Sequence, residues 1–309
     1  MQTEELQPNA GGIRRAAELL ALGETVAFPT ETVYGLGADA TNDLAVAKVF
    51  EAKGRPSFNP LIVHVASRDA AEAIGLFPDA ARDFLKNGWP EGLTLVVEKR
   101  PKSTISQLVT VGQTTVALRV PSAPLAKKLL NAFGGPVAAP SANPSGRISS
   151  TSAEHVLRGL QGKIAAVLVG GVAQTGLEST ILSFDDTGPV VLREGAYQVA
   201  EDLPRQTAIS GGVSAPAPGM LSSHYAPRGT LRMNVTAPDQ REWFIGFGPV
   251  GACDANLSPS GNLQEAAANL FAFLYAADDK PAIAVAPIPD TGLGRAINDR
   301  LRRAAAPRP

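Results

Sequence analysis

Three basic side chains alternate with aliphatic residues in segments that predict β-strands: Arg119 in 114–120, His64 in 60–66 and Arg193 in 189–193. Successive side chains of a strand point to opposite faces, so none of the three can join the aliphatic residues beside it. A single residue of this kind is often only a solvated side chain on an open sheet face. Three of them, with no carboxylate alternating beside them, predict a concave anion site. Arginine suits such a site because its planar guanidinium binds carboxylate or phosphate through two hydrogen bonds.

Loops after several of these strands supply further polar groups. The loop 29–37 is rich in hydroxyl groups, and the loop 139–146 offers Ser141 and Asn143 as hydrogen-bonding partners. Lys53 and Arg55 flank Gly54, which is expected to cap the end of a helix. Each feature alone has an ordinary explanation, because a cation at a helix C-terminus compensates the helix dipole and Pro/Ser/Gly loops form turns.

The elements that must position these residues alternate between helical and strand patterns from residue 13 to about residue 199. Such interleaving predicts an α/β or α+β sheet domain. The predicted helices are 13–22, 43–53, 69–74, 79–86, 123–132 and 152–160. The predicted strands are 24–28, 60–66, 93–99, 114–120, 136–139, 165–170, 178–184 and 189–193. The last helix carries a capping-box pattern, with Thr151 as the cap and Glu154 three positions later.

The composition changes between about residues 201 and 230, where glycine and proline recur without hydrophobic periodicity and indicate a linker. A strand (242–247), a helix (262–275), a strand (282–286) and a helix (294–304) are predicted after it. This order is typical of a small parallel three-layer domain. The sequence therefore predicts a first domain at 1–205, a linker at 206–229 and a C-terminal domain at 230–309.

Length, charge and cysteine content exclude several classes of protein. The 309 residues suggest about two domains at roughly 150 residues each. The 28 basic and 29 acidic residues give a net charge of −1, which argues against a dedicated duplex-binding surface but allows a local positive cleft. A single cysteine, Cys253, excludes an intramolecular disulfide framework and a cysteine-rich zinc site. A polar start and the absence of a long apolar run predict a soluble cytoplasmic protein with no membrane contact.

Seven motifs occur in order along the chain: PTETVYGLG (29–37), KGRP (53–56), FNPLIVHV (58–65), LRVP (118–121), PSANPSG (140–146), ESTI (178–181) and LREGA (192–196). Together they resemble the YrdC-like threonylcarbamoyl-AMP synthases, whose Lys-x-Arg and Ser-x-Asn signature is matched by Lys53, Arg55, Ser141 and Asn143. Four further segments resemble the long two-domain branch of that family: SHYAP (223–227), GFG (246–248), NLSPSGNLQEAAANLF (256–271) and GLGRAINDRL (292–301). The resemblance implies a twisted mixed sheet around a deep positive cavity, joined by a linker to a small Rossmann-like domain.

The resemblance also implies a reaction. L-Threonine, bicarbonate or carbon dioxide, and ATP would give L-threonylcarbamoyl-AMP and pyrophosphate. A separate transferase would then modify adenosine 37 of tRNAs that read ANN codons. The carbamate oxygen formed on threonine would attack the α-phosphorus of ATP. Positioning and charge neutralisation then matter more than a strong base, because both reactants are anions.

The family signature implies a role for each matching residue. Lys53 and Arg55 would be catalytic and serve the nucleotide phosphates, with Mg²⁺ as the counter-ion of ATP and no protein-held metal site. The other expected nucleotide contacts are Asn59, Pro140, Ser141, Asn143, Ser149, Arg193 and Tyr225. The expected threonine contacts are Thr30, Thr32, His64, Arg119, Ser141 and Ser179, with Arg119 on the carboxylate. The linker is expected to fold over the cavity mouth, with Tyr225 and Arg228 approaching the nucleotide.

Other functions compete with this hypothesis. A non-catalytic RNA-binding module in tRNA or ribosome maturation could use a positive cavity, but it needs no threonine-sized pocket and no ATP turnover. Carbamoyl-adenylate formation in hydrogenase maturation uses a related domain within a longer chain that has cysteine-rich zinc motifs. The segment GFGPVG (246–251) fits a dinucleotide-binding pattern, yet Pro249 interrupts it and no acidic residue follows at the required distance.

Overall fold

The computed structural model describes residues 2–206 and 223–307. Two β-sheets with helices packed against them make up this part of the chain. The strands are β1 Glu4–Leu6, β2 Val26–Phe28, β3 Gly35–Asp39, β4 Ile62–His64, β5 Gly75–Leu76, β6 Leu93–Lys99, β7 Thr115–Arg119, β8 Val137–Ala138, β9 Ala166–Leu168, β10 Thr180–Asp185, β11 Gly188–Arg193, β12 Thr230–Arg232, β13 Trp243–Gly246, β14 Ala255–Asn256 and β15 Ala282–Val285. The helices are α1 Ala10–Ala21, α2 Asp43–Lys53, α3 Arg68–Ile74, α4 Asp79–Phe84, α5 Gln107–Thr110, α6 Pro124–Phe133, α7 Ala153–Leu160, α8 Leu263–Ala276 and α9 Leu293–Ala305. None of these described helices combines the length and the apolar composition needed to cross a membrane.

The larger sheet is mixed. It runs in the order β1-β9-β2-β3-β8-β4-β7-β6-β10-β11, with β5 paired to β6 outside that path. β4 is parallel to β7 and β10 is parallel to β6, whereas β2 and β3, β6 and β7, and β10 and β11 pair antiparallel. The mixed sheet expected from the sequence is therefore confirmed.

Helix α2 shows how local sequence places a site residue. The Asn42 side chain accepts hydrogen bonds from the amides of Leu44 and Ala45 and caps the start of the helix. Gly54 adopts a left-handed conformation, with φ of 60°, and ends the helix directly after Lys53. The predicted helix 43–53 and its glycine cap are confirmed, and the side chain of Lys53 is buried rather than solvated at the helix end.

The smaller sheet has four parallel strands in the order β12-β15-β13-β14. Helices α8 and α9 pack with it in one apolar cluster that includes Ile245, Leu270 and Ile297. The same cluster contains Val33 and Tyr225, so the C-terminal helices are packed against the larger domain. The strand, helix, strand, helix order predicted after residue 242 is confirmed. Of the predicted linker 206–229, residues 207–222 lie outside the described residues.

Several elements were not predicted: β1, β3, β5, β12, β14 and α5. Strand β3 has the sequence GLGAD, in which glycines hide the alternation of polar and apolar residues. A Cβ at Gly37 would lie 2.8 Å from atoms of Phe28 and Val137, so glycine allows the neighbouring strands to pack closely. The cap of α7 also differs from the prediction, because Ser152 and not Thr151 accepts the hydrogen bond from the His155 amide.

Candidate active site

His64 and Arg119 lie side by side at the ends of two neighbouring parallel strands. β4 and β7 pair so that His64 is opposite Arg119, and both residues are buried. The preceding residues Val63 and Leu118 belong to the main core cluster. The predicted alternation is therefore confirmed for both strands, and it places the two polar groups on the face away from that cluster.

Arg193 reaches the site through a β-bulge. Leu182 pairs with Val191, but the preceding residue of β10, Ile181, pairs with Arg193, so Leu192 is an extra residue in β11. Strict alternation would give Arg193 the face of Val191, which lies in the main core cluster. The bulge instead gives it the face of Ile181, which packs in a separate cluster with Leu192. The predicted placement of Arg193 opposite Leu192 is wrong for this reason.

The hydroxyl-rich loop after β2 is buried and internally hydrogen-bonded. Thr30 Oγ1 donates to the carbonyl of Val33 at 2.6 Å and lies 2.8 Å from Thr32 Oγ1. The amides of Thr32 and Val33 donate to Thr30 Oγ1 at 3.2 and 3.3 Å. Thr32 Oγ1 accepts a hydrogen bond from Arg119 Nη2 at 2.7 Å. The structure therefore brings Thr30, Thr32 and Arg119 together at one end of the cavity.

Glu31 is the site residue that the sequence analysis missed in this loop. Arg119 Nη2 donates to Glu31 Oε1 at 2.5 Å, and the amides of Ser122 and Ala123 donate to Oε2 at 3.1 and 3.2 Å. Burial raises the pKa of Glu31, but Arg119 and the backbone donors outweigh it and lower the pKa to about 2. The loop after β2 thus supplies a carboxylate beside Arg119 that the strand sequences themselves do not contain. The sequence signal that could have identified Glu31 is its position between Thr30 and Thr32, two expected threonine contacts.

Lys53 and Arg55 are held by backbone carbonyls. Lys53 Nζ donates to the carbonyl of Ser141 at 2.5 Å and also to the carbonyl of Asn143. Arg55 donates to the carbonyl of Asn59 at 3.1 Å and to the next carbonyl at 2.8 Å. The structure thus brings together the residues of the Lys-x-Arg and Ser-x-Asn signature. Because carbonyls are neutral, these hydrogen bonds do not cancel the positive charge of the two side chains.

Burial and mutual repulsion lower the pKa of each cation in this region. Burial, and then the neighbouring Arg55, hold the pKa of Lys53 well below its ordinary value. Burial lowers the pKa of Arg55 to about 9, with Arg193 adding to the effect. Burial lowers the pKa of Arg193 to about 10, with Arg300 adding to the effect. A multiply charged anion would relieve this repulsion, so the arrangement favours phosphate groups as ligands.

Glu178 is a second buried carboxylate that the sequence analysis did not select. Ser149 Oγ donates to its Oε1 at 2.5 Å, and Arg300 Nε donates to its Oε2 at 2.9 Å. The adjacent Ser179 accepts hydrogen bonds at its carbonyl from Arg193 Nε and Nη2, at 3.1 and 2.8 Å. Its hydroxyl lies 3.2 Å from Arg193 Nη2. Ser149, Ser179 and Arg193 are therefore brought together around the ESTI motif.

Buried polar atoms without a hydrogen-bond partner concentrate in this part of the described chain. They include both amide atoms of Asn59, Oδ1 of Asn143, Nδ1 of His64 and Nε of Arg119. Burial, followed by repulsion from Arg119, lowers the pKa of His64 to about 3, so its imidazole is neutral at pH 7. Folded proteins pair the large majority of such atoms, so a cluster of exceptions indicates groups that serve a ligand.

The segment 223–228 forms part of the cavity wall through His224 and Tyr225. Tyr225 is 1% exposed, its ring centroid lies 5.6 Å from that of Phe271, and its φ is 62°, which is uncommon for a bulky residue. The cavity is lined by Thr30, Arg55, His64, Arg119, Pro140, Ser141, Glu178, Ser179, Arg193, His224 and Tyr225. It encloses about 40 Å³, whereas small-molecule pockets measure roughly 300–1,000 Å³. Arg228 does not line the cavity in this structure, where it is 77% exposed and lies 3.6 Å from Asp278.

The two cavity carboxylates are not arranged as metal ligands. Glu31 is bound by Arg119 and Glu178 by Arg300. Among residues 2–206 and 223–307, no three His, Cys, Asp or Glu side chains come together as a potential metal site. Cations, hydroxyls and amides dominate the remaining groups. These fit phosphate and carboxylate oxygens better than a metal ion held by the protein alone.

Two family models match the chain. The model for Sua5, YciO and YrdC proteins, which is described as Telomere recombination, matches residues 18–195. The second model, described as Threonylcarbamoyl-AMP synthase, C-terminal domain, matches residues 190–306. The chain is 40% identical to the threonylcarbamoyl-AMP synthase of Bacillus subtilis, covering 99% of this chain and 96% of that protein. It is 37% identical to the Pyrococcus abyssi threonylcarbamoyl-AMP synthase, covering 95% of this chain and 94% of that protein.

Solved structures agree with the sequence comparisons. P. abyssi Sua5 complexed with L-threonine matches with a TM-score of 0.89 and 34% identity, covering 99% of this chain and 98% of that chain. Escherichia coli YciO matches with a TM-score of 0.56 and 22% identity over 63% of this chain, which shows a shared fold for that part. On the two family models and the near full-length relatives, this chain belongs to the threonylcarbamoyl-AMP synthase family of nucleotidyl-transferring enzymes.

Proposed function

We propose that this protein forms L-threonylcarbamoyl-AMP and pyrophosphate from L-threonine, bicarbonate or carbon dioxide, and ATP. The observation that carries the proposal is the group of buried cations Lys53, Arg55 and Arg193, each held by backbone carbonyls. Their shared positive charge calls for a polyanion, which a nucleotide triphosphate supplies. The near full-length match to a relative described as complexed with L-threonine supports the amino acid.

Two bond-forming steps give this product. The amine of threonine adds to carbon dioxide and loses a proton, which gives a carbamate. A carbamate oxygen then bonds to the α-phosphorus of ATP while the bond to pyrophosphate breaks. Both reactants of the second step are anions, so the cavity must orient them and neutralise charge. Lys53 and Arg55 are suited to this role because carbonyls hold them without cancelling their charge.

The nucleotide end of the cavity is proposed to lie around these cations. Its contacts are Lys53, Arg55, Asn59, Pro140, Ser141, Asn143, Ser149, Arg193 and Tyr225. The unpaired amide atoms of Asn59 and Asn143 support hydrogen bonding to the nucleotide. Mg²⁺ would enter bound to the phosphates of ATP and reduce their charge.

The threonine end is proposed to lie around Arg119. Glu31 and Thr32 hold Nη2 of Arg119, while Nε has no partner among the described residues, so the guanidinium is oriented and keeps a donor. That donor suits the threonine carboxylate. The proposed contacts are Thr30, Thr32, His64, Arg119, Ser141 and Ser179.

The segment 223–228 is proposed to act as a lid that excludes water from the adenylate. The size of the cavity beneath Tyr225 supports this role, because about 40 Å³ is too small for a nucleotide while the segment lies against it. We also propose the domain limits 1–205 and 230–309, with the linker at 206–229. In support, the Gln206 amide donates to the carbonyl of Val191, so the chain stays attached to the first domain up to that point.

The product is proposed to pass to a separate tRNA threonylcarbamoyl transferase for modification of adenosine 37, in the cytoplasm. Any contact of this protein with RNA would be weak, because the chain has a net charge of −1. An RNA-binding module without catalysis would bind tRNA and leave ATP unchanged.

Pyrophosphate release from ATP, with threonine and bicarbonate each omitted in turn, tests the proposal. Product is expected only when all three substrates are present. Serine should bind about fourfold less well, since a buried methyl group contributes about 0.8 kcal/mol. Lys53→Ala provides the inactive control. Pyrophosphate release without threonine, or equal turnover of serine and threonine, would contradict the assignment.

A further inference from the structure

One arginine of the C-terminal helix α9 lies behind the proposed site. Arg300 has no exposed surface, which is uncommon because a guanidinium removed from water must be paired. Its Nε donates to Glu178 Oε2 at 2.9 Å. Its Nη1 donates to the carbonyl of Glu194 at 2.6 Å and to Asp299 Oδ2 at 3.1 Å. Arg300 is therefore fixed by both domains.

The same guanidinium contacts the lid. Its central carbon lies 5.4 Å from the ring centroid of Tyr225, which is within the range of a cation–π interaction. Tyr225 and Glu178 both line the cavity, one from the segment 223–228 and the other from the first domain. A single residue of the C-terminal domain thus contacts two separate parts of the cavity wall.

The charge of Glu178 explains why such a contact matters. Burial raises the pKa of Glu178, but Arg300, followed by Arg193 and the Ser149 hydroxyl, outweighs it and lowers the pKa. Glu178 is therefore an anion close to cations proposed to bind phosphate. Without Arg300 this carboxylate would keep only Ser149 as a side-chain partner among the described residues and would no longer be held in its place in the cavity wall.

We propose that Arg300 is a positioning residue for the adenylate-forming step, holding the carboxylate of Glu178 and the ring of Tyr225 at the cavity. The inference rests on the proposed function, since that reaction defines what is positioned. It gives the C-terminal domain a part in the reaction itself.

Arg300→Met and Arg300→Lys test the proposal in the full-length protein, together with Glu178→Gln and the double variant Arg300→Met/Glu178→Gln. Arg300→Met keeps an unbranched apolar side chain but removes the charged guanidinium. We expect kcat to fall roughly 10- to 100-fold and KM for ATP to rise more than KM for threonine. Arg300→Lys restores the charge but not the planar fork, so we expect partial rescue. The kcat effects of Arg300→Met and Glu178→Gln should not add, because one residue acts through the other.

The melting temperature of each variant is measured beside its kcat, because breaking a buried ion pair also destabilises a protein. The double variant leaves neither charge buried alone, so its melting temperature should recover relative to Arg300→Met while its kcat stays low. Arg302→Met is the control, since this neighbour on α9 is 58% exposed and lies 3.5 Å from Asp290. Its kinetic constants should equal those of the wild-type protein. All assays are run well below the melting temperature of every variant.

Two results would overturn the proposal while the wild-type enzyme is active: an unchanged kcat in Arg300→Met, or a kcat in the double variant that recovers together with its melting temperature. A wild-type protein that releases no pyrophosphate from the three substrates would instead overturn the proposed function, and this inference with it.

Discussion

Replacing Arg119 with alanine tests the threonine end of the site. In the structure, Arg119 Nη2 donates to Glu31 and Thr32, and Nε keeps a free donor among the described residues. The substitution removes the cation that is expected to bind the threonine carboxylate. It also leaves the carboxylate of Glu31 buried without its ion-pair partner.

Both effects have a predicted size. A hydrogen bond to a charged group contributes about 1.5–3 kcal/mol, which corresponds to a threonine Kd about 10- to 150-fold higher. Removing one partner of a buried ion pair lowers the free energy of unfolding by about 3–5 kcal/mol. We expect the lower end of that range, because the amides of Ser122 and Ala123 continue to donate to Glu31 Oε2.

Calorimetric titration with threonine measures the first effect, and chemical denaturation measures the second. Arg119→Ala/Glu31→Gln should regain stability without regaining affinity, which separates the two. Arg15→Ala is the control, since it breaks a partly exposed pair with Glu4 at 2.7 Å. That change should leave the free energy of unfolding nearly unchanged, because solvent screens an exposed ion pair, and threonine affinity should also be unchanged. An Arg119→Ala variant that is folded and binds threonine normally would refute the assignment of Arg119.

Three further predictions concern Lys53, the buried histidines and Tyr225. Lys53→Ala should abolish pyrophosphate release while calorimetry shows threonine binding retained; normal turnover would remove Lys53 from the chemistry. The free energy of unfolding should fall as pH decreases below 6.5, because His64 and His155, with pKa values of about 3 and about 4, stay neutral in the fold but are protonated in the unfolded chain. Glu31, with a pKa of about 2, should lower the free energy of unfolding further between pH 4.5 and about 2. Equal free energies of unfolding at pH 7 and pH 5, measured by denaturation, would contradict the contribution of the histidines. Tyr225→Ala should raise the ratio of free AMP to intact adenylate, and it should also lower the melting temperature because the ring is buried. Tyr225→Phe serves as the control. An unchanged ratio in Tyr225→Ala would contradict a lid function of the segment 223–228.

The sequence determined the parts of this site that depend on local backbone geometry. His64 and Arg119 face away from the main core because side chains alternate along any strand, and their strands happen to pair in register. Lys53 ends its helix because Gly54 follows it and readily adopts a left-handed conformation. The sequence also predicted a two-part division of the chain, because a glycine- and proline-rich segment cannot maintain the hydrophobic periodicity of the elements on either side.

The tertiary structure decided which charges are paired. Glu31 meets Arg119 across 88 positions of sequence, and Glu178 meets Arg300 across 122. Such partners are fixed by strand pairing and domain packing, which no local pattern contains. The face of Arg193 depended on a single extra residue in β11, because one bulge reverses the alternation that a period of two would impose. Local periodicity therefore predicted where the cations stand along their strands, while contacts between distant segments determined which of them remain available to a ligand.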